Sequence, residues 1–207
     1  MTKTYPLYVA LLIALAGCGA LMDKAEPLDV RYFTPSLEPS TGDDMGGAPL
    51  ALRLGRIEAS DHLRERMAFR VSEHEIGYHE ALRWTDEPEA FFRRALGRQL
   101  FENGRFEHVV AGVAPTLEAE LTAFEDLRER NAVRVEARLL VHDGRRVFLE
   151  RSLRVEEPRD GNDAAVTAAA LSRALQKCVV QISRDVAEAL AKLPSRSAPE
   201  AAPPTSG

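Results

Sequence analysis

The sequence predicts an α+β fold, a mainly antiparallel β-sheet packed by two principal α-helices on one side in a single domain. Three observations carry this. Residues 133–155 alternate apolar and polar on both sides of Asp143-Gly144, a dipeptide suited to a tight hairpin turn. A long apolar stripe with spacings of three and four residues runs from Ala168 to Leu193. Two strand-rich blocks are each followed by a helical segment, the order typical of an α+β layer pair.

In chain order, the domain is expected over 28–193. Leu28, Val30 and Tyr32 alternate with polar neighbours as a first strand, Phe33 extends it, and Pro35 stops it. Residues 39–49, with Gly42, Asp43, Asp44, Gly46 and Gly47, read as a loop. No Gly-Lys-Ser/Thr ending makes it a phosphate loop. Leu50, Leu52, Leu54 and Ile57 give a second strand, and 61–66 a charged connection. Met67, Phe69 and Val71 form a third strand, and Ile76 and Tyr78 continue beyond the polar break 72–75 as a hairpin or bent strand. Trp84 is expected to staple the next helix to the core. That helix starts with Asp86 and Glu89 at capping-box spacing and Pro88 in its first turn; Phe92, Leu96 and Leu100 line one face, and Asn103-Gly104 ends it.

Residues 106–113 form another apolar run. Leu117, Ala119, Leu121 and Ala123 then alternate with Glu118, Glu120 and Thr122, a strand with one wet face. After the hairpin, the last helix is predicted over 163–193. Its buried stripe is Ala168, Leu171, Leu175, Cys178, Ile182, Val186, Leu190 and Leu193. Pro194 ends it, and 194–207, rich in Pro, Ala and Ser, is expected to be a disordered tail.

The N-terminus reads as an export signal over 1–17. Lys3 is a minimal positive region, and the apolar run 7–16 is shorter than the ~20 residues of a spanning helix. Leu15-Ala16-Gly17-Cys18 matches a bacterial lipobox, so Cys18 is the expected site of S-diacylglycerol and N-acyl attachment, with 18–27 a lipidated spacer. Two or more acyl chains anchor stably, at ~0.8 kcal/mol per buried methylene. Gly19, with no aspartate there, fits forwarding to the outer membrane. The net charge of −5 becomes one unit more acidic when Lys3 is removed, which argues against nucleic acid as a partner. With Cys18 acylated, Cys178 is the only thiol left and has no intramolecular disulfide partner; its place on the helical stripe predicts burial.

Candidate chemistry is sparse, and neither catalytic residues, metal ligands nor a cofactor are expected. His74 and His79 are five apart, where a zinc helix needs four. No Gly-x-Ser-x-Gly elbow occurs. Glu118 and Glu120 share a wet strand face, a solvated arrangement rather than an acid–base pair. Arg93, Arg94 and Arg98 form a positive patch whose plainer reading is a solvated helix face.

The lipobox, the strand Asp29-Val30-Arg31-Tyr32-Phe33, the segment Leu52-Arg53-Leu54-Gly55-Arg56-Ile57, the stretch 67–78, Arg83-Trp84 and a proline-started helix together resemble the ABC-type transport auxiliary lipoproteins. These are the PqiC-type partners of mammalian cell entry (MCE) domain lipid transporters. The resemblance covers residues 18–193. It implies a non-enzymatic lipoprotein on the inner leaflet of the outer membrane, facing the periplasm. Such a chain would dock, as one copy or as a homo-oligomeric ring, onto an MCE channel that an ABC permease and ATPase drive to move phospholipid. The tail and the polar segment 72–75 depart from the pattern. The alternative is a stand-alone periplasmic lipid-binding carrier or envelope-assembly lipoprotein with a pocket between helix and sheet.

Overall fold

The computed structural model describes residues 27–37, 48–102 and 104–193. The expected leader, Cys18, nearly all of the spacer, most of the glycine-rich loop, Asn103 and the tail lie outside the described residues. The strands are β1 (Arg31–Phe33), β2 (Leu50–Ala59), β3 (Arg66–Ser72), β4 (Glu75–Trp84), β5 (Phe106–His108), β6 (Thr116–Leu127), β7 (Ala132–His142) and β8 (Val147–Pro158). Helix α1 (Pro88–Gly97) runs into a π turn (Arg98–Glu102), a 3₁₀ turn (Arg128–Arg130) follows β6, and α2 spans Ala164–Ala191.

The sheet is built around β6. On one edge β6 pairs antiparallel with β7, and β7 antiparallel with β8. On the other edge the first half of β6 pairs parallel with β2 and its end parallel with β3. β3 and β4 form the expected hairpin, and β1 and β5 add short parallel edges to β4 and β2. The long ladders are therefore antiparallel, while the first half of the chain joins β6 through parallel contacts that strand alternation does not forecast.

Two β-bulges set which residues face the helices. In β2 the register shifts between Leu54 and Ile57, so Gly55 and Arg56 together oppose one residue of β6. Leu52 and Ile57, an odd number of residues apart, are thereby both buried. A Cβ on Gly55 would lie 2.6 Å from Thr116 Cγ2, so the bulge needs glycine there. In β6 the shift falls between Leu121 and Ala123 and reverses the inward parity. Phe124 and Asp126 turn toward the helices, and Glu125 turns to the other face beside Arg134.

The core lies between this face and the helices. The α2 stripe, Leu171, Leu175, Cys178, Ile182 and Val186, packs with Leu121, Val133, Val135 and Val141 and with Phe92, Leu96 and Leu100 of the first helical segment. Trp84 is buried as expected, 5.9 Å from the Phe91 ring and 5.0 Å from the Phe124 ring. The Asp143 turn also forms as expected: its Oδ1 accepts the backbone N–H groups of Arg145 and Arg146, and Gly144 has φ +86°.

Three local expectations are corrected. The first strand begins only at Arg31, and Leu28 (54 % exposed) and Tyr32 (65 %) lie outside the core because β1 is an edge with few neighbours. The run 106–113 stops being a strand at His108; Val110 and Val113 are exposed on a loop. No capping box forms at α1: Glu87 is the N-cap without a side-chain bond, Asp86 pairs with Arg94, and Glu89 pairs with Arg93.

Candidate functional site

With both helices on one face of the sheet, the opposite face is left to charged side chains. Glu125 is fully buried there between Arg70, whose Nε donates at 2.7 Å, and Arg134. Arg134 also approaches Glu136, whose Oε1 lies 2.5 Å from Arg154 Nε as an ion pair, and Arg130 forks onto Glu156 at 3.1 and 2.6 Å. The ladder thus crosses β3, β6, β7 and β8 with alternating sign, and each buried charge has a partner. Beyond it lies an open hollow of about 650 Å³ lined by Arg56, Glu58, Glu118, Glu120, Arg138 and Glu150. Glu120 accepts from Ser60 Oγ at 3.0 Å, and Glu118 lies 3.7 Å from His142, so these carboxylates are held by partners on a wet face, as their spacing suggested.

A second cavity, about 590 Å³, opens on the helix side where β4, the end of β6, the end of β8 and the start of α2 converge. The β6 bulge turns Asp126 into it, and the 3₁₀ turn that follows brings Arg128. Gly77 sits opposite Phe69, and a Cβ there would stand 2.4 Å from the ring, so only glycine lets the ring lie across β4. On that ring rests the Arg128 guanidinium, 3.3 Å from its centroid, with His79 edge-on at 5.0 Å. Arg159 comes from the end of β8 with a side chain only 5 % exposed. Its Nη1 donates to Gly161 O at 2.6 Å and Asn162 Oδ1 at 2.8 Å, and its Nε approaches Asp126 Oδ1 at 2.8 Å. Arg31 of β1 stands 3.9 Å from Asp163, the α2 N-cap, which accepts from Ala165 N at 2.7 Å.

Electrostatics follow from this crowding. Burial, reinforced by Arg128 and Arg159, lowers the His79 pKa to about 4, so the ring is neutral at pH 7. His79 is accordingly half-buried in a cationic niche, while His74 is exposed. Burial raises the Asp126 pKa, opposed in part by Arg159 and Arg128.

The remaining candidates are structural. Cys178 lies on the buried stripe as expected, its thiol pushed up to about 12 by burial, and such a group is a poor nucleophile. Arg93, Arg94 and Arg98 are taken up by Glu89, Asp86 and Glu102. Among the described residues no group of three His, Cys, Asp or Glu could hold a metal ion, and no helix is long and apolar enough to cross a membrane. The arginine cavity is what sequence reasoning missed: its residues come from four separated segments, and the local trace beside it is the Gly77 opposite Phe69.

The geometry defines a one-sided α+β domain whose distinctive features are charged surfaces. The chain belongs to the ABC-type transport auxiliary lipoprotein component family, whose model matches residues 34–183. A Xanthomonas campestris protein of the DUF330 family shares the fold at TM-score 0.65 and 18 % identity, covering 77 % of this chain and 96 % of that one. A second solved structure, of an uncharacterized protein, aligns at TM-score 0.59 and 15 % identity over 75 % and 97 % of the two chains. No curated protein matches this chain.

Proposed function

We propose that this chain is a lipid-anchored periplasmic accessory subunit of an MCE/ABC-type phospholipid transport system, held at the outer membrane through acylated Cys18 and docking the channel there without catalysing a reaction. The observation that carries this is the family match over residues 34–183, on a domain whose Cys178 thiol is buried. The lipobox at Leu15–Cys18 supports the anchor. The carrier alternative needs an apolar pocket between α2 and the sheet; fully buried Leu117, Leu121, Leu171 and Leu175 fill the middle of that layer, and the cavity at its end is lined largely by charged side chains. Purification of the tagged, acylated chain from detergent-solubilised envelopes tests the docking. Recovery of an MCE-domain protein with its permease and ATPase is expected; recovery of the acylated chain without any of them would overturn it.

A further inference from the structure

We propose that the cavity lined by Arg31, His79, Asp126, Arg128, Arg159 and Asp163 is a binding site for a phosphate group, supplied by an anionic lipid headgroup or by free phosphate. Three guanidiniums from β1, the turn after β6 and the end of β8 face one hollow against two carboxylates, leaving an excess positive charge where a dianion or monoanion would sit. Arg159 is the fixed member: two of its donors are clamped by Gly161 and Asn162, and its Nε contacts Asp126 without an aligned hydrogen bond. Arg128 is poised, stacked on Phe69 and in no ion pair among the described residues, so its remaining donors are available. His79 lines the same hollow. Its Nδ1 lies 3.5 Å from Arg128 and can only accept there, which leaves the proton on Nε2; that N–H is buried and has no hydrogen-bond partner among the described residues. Planar guanidinium forks match phosphate oxygens in a way a single ammonium does not.

The lipid source has its own support. Arg31 is one wall of the cavity and opens β1, and the stretch leading to it exposes Leu28 and Val30. A headgroup in the cavity would bring its acyl chains near the segment that joins the fold to Cys18.

The test is isothermal titration calorimetry on the full acylated chain in nonionic detergent, with dihexanoyl phosphatidylglycerol and, separately, inorganic phosphate. Saturable binding at one site per chain is expected. It should weaken about tenfold or more in an Arg31→Gln/Arg128→Gln double variant and stay unchanged in Arg98→Gln. Both replaced arginines are exposed, so the fold survives, and circular dichroism checks it. Binding of phosphatidylglycerol alone assigns the lipid source; equal binding of inorganic phosphate assigns the free group. Binding of neither probe, or a double variant that binds like the parent, overturns the site. No partner protein enters the assay, so its failure leaves the docking reading intact.

Discussion

At the scale of single residues, close contacts decide more than composition does. Gly77→Ala sets a Cβ against the Phe69 ring, and displacing that ring also removes the platform under Arg128. The expected cost is about 1–3 kcal/mol, read as a lowered urea midpoint at unchanged slope. His79 gives a pH signature. Its folded pKa near 4 lies below the ordinary 6.5, because of burial and the adjacent Arg128 and Arg159. The unfolded chain takes up the proton first, so the stability is fully present above pH 6.5 and is lost as pH falls toward 4. The ring is only half-buried, and solvent screening reduces the effect to on the order of 1–2 kcal/mol. Comparing urea melts at pH 7.5 and 4.5, the loss of stability should be smaller in His79→Asn than in the parent by that amount; equal losses would remove His79 from the account. Cys178 was legible because a stripe with spacings of three and four fixes one helix face. The His79 niche was not, because Phe69, His79, Asp126, Arg128 and Arg159 meet only through tertiary contact.

At the scale of elements, the hairpin β7–β8 and the helix α2 follow the sequence closely, since both rest on local chemistry: a turn dipeptide, an N-cap aspartate and regular periodicity. Leu175 sits fully buried at the middle of α2. Leu175→Ala should cost about 2–5 kcal/mol through the cavity left behind, seen in denaturant melts of the purified chain; a change under 1 kcal/mol would mean α2 does not bear on the sheet as described. The expectations that failed did so where local signals compete with sheet geometry. Strand alternation carried through residues 117–127 would send Glu125 inward, but the bulge after Leu121 inverts the parity and sends Asp126 instead. That single extra residue both builds the ion ladder on the outer face and supplies a wall of the arginine cavity. In 106–113, apolar character without a pairing partner left Val110 and Val113 on a loop.

At the scale of the whole molecule, the proposed anchor and the folded domain occupy separate stretches of the chain. The family match begins at residue 34 and the hydrophobic core begins with Phe33 packed at its margin, whereas the lipobox cysteine lies upstream of both. If Cys18 carries the anchor, Cys18→Ala should abolish incorporation of labelled palmitate and leave the leader uncut, because lipobox processing acts on the acylated cysteine. The folded domain should be unaffected: its thermal midpoint, measured on chains extracted in detergent, is expected within about 1 °C of the parent, since surface changes away from packed groups shift stability by less than ~0.5 kcal/mol. Recovery of MCE-type partners should then fall even though the domain is intact, because tethering raises the local concentration of the docking surface at the membrane, an effect of about 10²–10⁴ in avidity for linked sites. Undiminished partner recovery from the Cys18→Ala chain would show that docking depends on the charged surfaces alone. Persistent palmitate labelling would move the acylation to another residue and detach the anchor from the lipobox.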